Sequence, residues 1–210
     1  VILPAFGVSV GDLARLERQG CTLVDTTCGS VLNVWKNVRR YAREGFTSVI
    51  HGKVQHEETR ATASQATGVA GAHYLIVRDE AQTTIVCDFI RGARTADVLL
   101  AEFAGAVSPG FDPDRDLAHV GCANQTTMLM SESLKIAEML RTAMADRYGT
   151  EALADRFRAF DTICSATQER QDAVVALLDE QPIDLAIVAG GYNSSNTCNL
   201  ARICAERVPT

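Results

Sequence analysis

Short β-rich apolar runs alternate along this chain with longer stretches in which apolar residues return every three or four positions. The runs at 1–5, 22–25, 47–51, 74–77, 117–121 and 185–189 read as strands. The clearest helix spans 30–43, where Val31, Val34, Trp35 and Val38 stand at i, i+3, i+4 and i+7 and form one apolar stripe for a core. Further helices are expected over 199–207 and from the polar cluster at 124–127 to about Tyr148. Alternation of the two periods predicts an α/β fold with small parallel sheets. Residues 107–116, with two prolines, one glycine and three aspartates, read as a loop or linker.

A unit repeats within this pattern. Leu23-Val24-Asp25-Thr26-Thr27-Cys28 leads into a helix, then a strand ending at His51-Gly52, then the polar loop Gln55-His56-Glu57-Glu58-Thr59. Phe160-Asp161-Thr162-Ile163-Cys164 leads into a helix, then a strand ending at Gly190-Gly191, then Asn193-Ser194-Ser195-Asn196-Thr197. Cys28 lies 28 residues before His56, and Cys164 lies 30 before Ser194. One supersecondary unit is used twice, so pseudo-repeated α/β domains are expected.

The repeat places chemistry at one edge. In open α/β sheets ligands gather beyond the carboxyl ends of the strands, and both units put a cysteine there at a helix N-terminus, where the helix dipole favours the thiolate. Ser165 with Gln168 reads as a capping box that sets the start of the second helix. Soft thiolates select iron-sulfur clusters or zinc, but neither Cys28 nor Cys164 lies in a CxxC spacing, and two ordinary buried cysteines fit the pattern too. The loop at 193–196 offers hydroxyl, amide and N–H donors suited to a phosphate, or a plain helix cap. His56 beside Glu58 is either a solvated loop or a proton-transfer pair. Cys21, Cys87, Cys198 and Cys204 read as packing, and Cys122 stands near the polar cluster at 124–127.

Composition narrows the partners. A chain of 210 residues, 47% hydrophobic, can bury one large core or two small ones. The net charge of -6 is spread without a basic stripe, so no nucleic-acid partner is expected, and no apolar run reaches the length of a membrane span. Seven cysteines, an odd number, point to reduced thiols in a cytosol-like compartment. Both ends read as cuts through a larger protein.

Five ordered motifs carry a resemblance: Val24-Asp25-Thr26-Thr27-Cys28; His51-Gly52-Lys53 with His56-Glu57-Glu58-Thr59; Asn124-Gln125-Thr126-Thr127; Asp161-Thr162-Ile163-Cys164 with 166–173; and 190–197. Their order and spacing resemble the 4-hydroxy-3-methylbut-2-enyl diphosphate reductase family, in its cyanobacterial and plant branch. The resemblance implies a trefoil of three α/β domains around a 4Fe-4S cluster: 1–27 as a remnant of the first, 28–163 as the second and 164–210 as an incomplete third. It implies Cys28 and Cys164 as cluster ligands, with the third family cysteine before the point where this chain begins. His56 would contact the substrate, Glu58 would feed protons, Thr126 would hold the substrate hydroxyl, and Ser194, Ser195 and Asn196 would bind the diphosphate. The implied reaction is reductive dehydroxylation to isopentenyl and dimethylallyl diphosphate, the last step of the non-mevalonate pathway. Ferredoxin or flavodoxin would be the donor, and the bacterial cytoplasm or the plastid stroma the location. With two of three ligands this chain alone is expected to be inactive. The rival reading is a non-redox phosphate-binding α/β module with structural cysteines; zinc is a third.

Overall fold

The computed structural model describes residues 1–160, 164–191 and 194–210. Its main sheet holds β3 (Thr47–His51), β4 (Tyr74–Val77), β5 (Val120–Asn124) and β6 (Phe157–Ala159), all parallel, in the order β4-β3-β5-β6. A separate parallel pair joins β1 (Ile2–Leu3) to β2 (Val24–Asp25). The helices are α1 (Val10–Arg18), α2 (Gly29–Glu44), α3 (Glu57–Ala66), α4 (Glu80–Ile90), α5 (Ala96–Glu102), α6 (Pro113–Asp116), α7 (Met130–Tyr148), α8 (Leu153–Arg156), α9 (Ser165–Glu180) and α10 (Ser195–Ala205). This is the α/β architecture with small parallel sheets that the alternating pattern predicts.

Every residue of β3 and β5 is buried, which explains why these strands read as continuous runs: a parallel strand covered on both faces has no polar side to alternate with. α2 packs with α3, and α4 packs with α7. The stripe of α2 supplies Val34 and Val38 to the main core with Val49, Ile50, Leu75 and Leu140, each fully buried aliphatic side chain contributing about 1.5–3 kcal/mol. Tyr41 reaches deeper, donating its hydroxyl to the Cys122 carbonyl at 2.9 Å. Its ring lies so close to β5 that a Cβ on Gly121 would stand 2.6 Å from it, so only glycine fits there. The helix stops at Gly45, whose φ of 78° is the left-handed conformation glycine adopts without strain.

Four expectations are corrected. β5 begins three residues later than 117–121, because Leu117 ends α6 and turns into the core. Residues 107–116 hold the expected loop only through 112, and it is packed and not a linker: Val107 bridges to Leu75, Ser108 and Phe111 are buried, and the segment closes in α6. β6 was hidden by its brevity and by Arg158. The run at 185–189 forms no strand: Ala186 donates its N–H to the Pro209 carbonyl, and Leu185 and Ile187 are 59% and 86% exposed. A parallel strand exists only as one member of a pair, and among the described residues no strand lies beside this one.

Candidate functional site

The strand order fixes where a crevice opens. From β3 the chain crosses to β4 on one side, and β5 then returns to the other side of β3 before β6 follows outward. β3 and β5 therefore flank the topological switch point, where loops leave in opposite directions. In register His51 pairs with Asn124, so Gly52 and Gln125 emerge side by side, and the Gln125 N–H donates to the His51 carbonyl at 2.8 Å. A Cβ on Gly52 would meet Thr59 Oγ1 at 2.7 Å and Gln125 Cβ at 3.2 Å, so this close approach requires glycine.

The loop after β3 opens α3. His56 is its N-cap, and His56 Nδ1 accepts from the Glu58 N–H at 3.2 Å. That bond leaves the imidazole proton on Nε2, a donor directed away from the helix. Burial, helped by the Lys53 charge and opposed by Glu57, lowers the His56 pKa and keeps the ring neutral. Glu58 is only 2% exposed and accepts from the Thr126 N–H at 2.5 Å. Burial pushes its carboxyl above the ordinary value, and the Thr126 N–H and hydroxyl offset only part of this. A carboxyl that burial makes hold its proton to higher pH is shifted in the direction general acid work requires. Glu57 points outward and pairs with Arg60 at 3.5 Å.

Thr126 connects this acid to the second cysteine, because its carbonyl accepts from the Cys164 N–H at 3.4 Å. Cys28 and Cys164 are the N-caps of α2 and α9, and the Cys28 side chain makes no capping hydrogen bond. The capping box is corrected accordingly: the cap is Cys164, Ser165 already lies within α9, and Gln168 Nε2 donates to Asp172. Cys28 is exposed at the start of α2. Burial acts to raise the Cys164 thiol, but the Thr167 N–H, the Ser30 hydroxyl and the Ala166 N–H outweigh it and hold the thiol below its usual value. Ser30 belongs to the first turn of α2, so the starts of the two cysteine-capped helices face each other.

The third element is α10. Ser194 is its N-cap and accepts from the Thr197 N–H at 3.3 Å, while Ser195 Oγ accepts from Gln125 Nε2 at 3.2 Å. With their oxygens receiving protein N–H groups, both hydroxyls keep their own hydrogens for donation, as an anion requires. Asn196 Oδ1 is buried without a hydrogen-bond partner. Asp161, Thr162, Ile163, Tyr192 and Asn193 lie outside the described residues.

Residues 1–210 match, from end to end, the family described as LytB protein. The chain belongs to the LytB family. It is 53% identical over 207 residues to the 4-hydroxy-3-methylbut-2-enyl diphosphate reductase of Synechococcus sp. (strain RCC307), matching 99% of this chain and 50% of that protein. The reductase of Gloeobacter violaceus is 51% identical over 207 residues, across 99% of this chain and 48% of its own length. The chain thus spans about half the length of these relatives. Two solved structures share the fold. A Plasmodium falciparum E-1-hydroxy-2-methyl-but-2-enyl-4-diphosphate reductase has a TM-score of 0.69 at 22% identity, covering 99% of this chain and 53% of its own. An (E)-4-hydroxy-3-methyl-but-2-enyl diphosphate reductase has a TM-score of 0.57 at 24% identity, covering 99% and 59%.

In this LytB chain the two thiols at helix starts fit as thiolate ligands of a cluster. Among the described residues no group of three His, Cys, Asp or Glu side chains is placed to hold a metal. Cys122 is buried on β5 beneath Tyr41, and burial drives its thiol far above the usual value. Cys198, expected to pack, is exposed on α10. Two site residues carry no role in the sequence reading. His51 is buried at the end of β3, with Nδ1 2.8 Å from Ser133 Oγ, and burial outweighs the Glu132 carboxylate to lower its pKa. Gln125 joins all three loops through its side chain. Their place directly at the strand ends is the one signal that could single them out.

No helix among the described residues is long and apolar enough to cross a membrane.

Proposed function

We propose that this chain carries the substrate-binding and proton-delivering part of a 4-hydroxy-3-methylbut-2-enyl diphosphate reductase. The observation that carries the reading is the link Glu58–Thr126–Cys164: a buried carboxyl, raised above its ordinary pKa, bonded to a residue whose carbonyl accepts from the N–H of a helix-capping cysteine. Cys28 and Cys164 would hold a 4Fe-4S cluster with a third thiolate from outside these residues, and that group supplies single electrons and a Lewis-acidic iron when bound. Replacing the allylic hydroxyl by hydrogen consumes two electrons and two protons and releases water. Glu58 holds the proton for the leaving oxygen, the Thr126 hydroxyl orients that oxygen, and His56 donates from Nε2 to the substrate. Ser194, Ser195 and Asn196 take the diphosphate at the start of α10, where the helix dipole and free N–H groups favour an anion.

Isopentenyl and dimethylallyl diphosphate are the products of this reading, ferredoxin or flavodoxin the donor, and the cytoplasm or the plastid stroma the location. Residues 1–27, 28–163 and 164–210 then belong to three domains of a trefoil. The 210-residue chain by itself should retain little iron on reconstitution, since an iron-sulfur cube lacking one thiolate is open to solvent and oxygen. The test is turnover of the allylic diphosphate by the intact protein with dithionite as reductant. Formation of both isomeric products by a brown protein supports the reading. A colourless protein that binds inorganic diphosphate without turnover favours the non-redox module, and metal analysis returning zinc refutes the cluster.

A further inference from the structure

Gln125 has no role in the reaction as described, yet both ends of its amide are fully engaged. The side chain is 1% exposed. Its Oε1 accepts from the Lys53 N–H at 3.2 Å and the Thr59 hydroxyl at 3.1 Å, while Nε2 donates to Thr127 Oγ1 at 2.7 Å and Ser195 Oγ at 3.2 Å. Flipping the amide would aim its NH2 group at the Lys53 N–H, so a single orientation is allowed. That orientation has a consequence at Ser195. A hydroxyl oxygen that receives an N–H turns its own hydrogen elsewhere; a hydroxyl without that bond can rotate and present a lone pair to an anion.

We propose that Gln125 is a positioning residue for the diphosphate end of the site, fixing the Ser195 hydroxyl as a donor and tying the first turn of α10 to the loops that carry Glu58 and Thr126. This rests on the reading of α10 as the anion-binding end. A buried glutamine can also be plain glue between loops, and Asn199 shows what glue looks like: its Nδ2 donates to the Thr127 carbonyl at 2.9 Å, holding α10 to the same loop without touching either serine hydroxyl.

The two roles separate by calorimetric titration of the intact protein carrying this chain with inorganic diphosphate. Gln125→Ala should weaken binding about tenfold, the worth of one hydrogen bond to a charged group. Gln125→Glu should weaken it further, because the new carboxylate takes the Ser195 hydrogen for itself and adds negative charge beside the ligand. Its deficit relative to wild type should shrink as the pH falls and the carboxyl, once protonated, offers a donor again. In a Ser195→Ala background Gln125→Ala should cost little more, whereas Asn199→Ala should stay within about threefold of wild type. Wild-type affinity in Gln125→Ala, or the same loss with and without the Ser195 hydroxyl, would reduce Gln125 to glue and overturn the proposal. If Gln125→Ala fails to fold, the near-isosteric Gln125→Glu carries the test, and a deficit independent of pH overturns it. A folded wild-type protein that ignores diphosphate altogether would instead sink the anion-site reading, and this proposal with it.

Discussion

Glu58→Gln changes one buried group and leaves its shape, so both its stability and its kinetic effects can be worked from the structure. Unfolded, Glu58 gives up its proton near the ordinary value of 4.5; folded, burial makes it hold that proton to higher pH. Between the two values the native state binds one proton more than the unfolded chain, so wild-type stability falls as pH rises, by up to about 1.4 kcal/mol per pH unit. Glutamine does not titrate and can still accept the Thr126 N–H through its amide oxygen. Urea midpoints of the two proteins should therefore differ little near pH 4, separate in favour of Glu58→Gln as the pH rises, and stay apart by a constant amount above the folded value. His51 and His56 titrate in both proteins and drop out of the difference to first order.

Turnover should respond in the opposite sense. A positioned general acid contributes about 10²- to 10⁴-fold, so Glu58→Gln should lose that factor in kcat while diphosphate affinity holds. Glu57→Gln, which removes an exposed ion pair with Arg60, should change neither rate nor stability by much. Dithionite as reductant removes donor docking from the comparison. A stability gap independent of pH, or a Glu57→Gln variant that is the crippled one, would refute the assignment of a buried, proton-holding acid to Glu58.

The remaining expectations concern anchoring, backbone and sulfur. Ser194→Ala combined with Asn196→Ala should weaken diphosphate binding by about 1.5–3 kcal/mol for each bond lost, read by calorimetry, with the spectrum of any bound cluster unchanged. Gly52→Ala should destabilise by about 1–3 kcal/mol in urea, since its methyl group enters the space of Thr59 Oγ1; a change below about 0.5 kcal/mol would contradict the packing. Cys122→Ala in the intact protein should leave reconstituted iron unchanged, whereas Cys28→Ala or Cys164→Ala should lose it. Cys28→Ser should gain stability in the iron-free protein, on the order of 0.5–2 kcal/mol in melting experiments, by supplying the missing cap of α2.

What the sequence disclosed follows from where the information resides. β3 and β4 were legible to the residue because their apolar runs are bounded by breaks and buried on both faces. The stretch at 117–121 was misread because Leu117 is buried as the end of a short helix, and burial alone does not distinguish that from a strand. The run at 185–189 has the composition of a strand but lacks a neighbour to pair with. In the site, the positions of Cys28, Cys164 and Ser194 were readable because each stands at the start of a helix, a place that local sequence marks, whereas 55–59, expected as a polar loop, opens α3. The part played by Gln125 was not, since its partners Lys53, Thr59 and Ser195 lie 66 to 72 residues away and are united only by the strand order.

The cysteines show how the fold yields local stability to the site. Ser9, His56, Asp79, Asp112 and Ser194 all cap their helices with a side-chain acceptor, satisfying an N–H that would otherwise lack a partner. α2 begins instead with a sulfur that makes no such bond, forgoing about 1 kcal/mol at its start. Stability alone would favour serine there. A thiol gains there what a hydroxyl cannot use: first-turn N–H groups and a helix dipole that favour the thiolate, beside the switch point between β3 and β5. The lowered Cys164 thiol and the raised Glu58 carboxyl lie on either side of Thr126, one disposed to lose its proton and the other to keep it. Two acidic groups pushed in opposite directions across one residue are what a site needs if it is to bind a metal on one side and deliver a proton on the other.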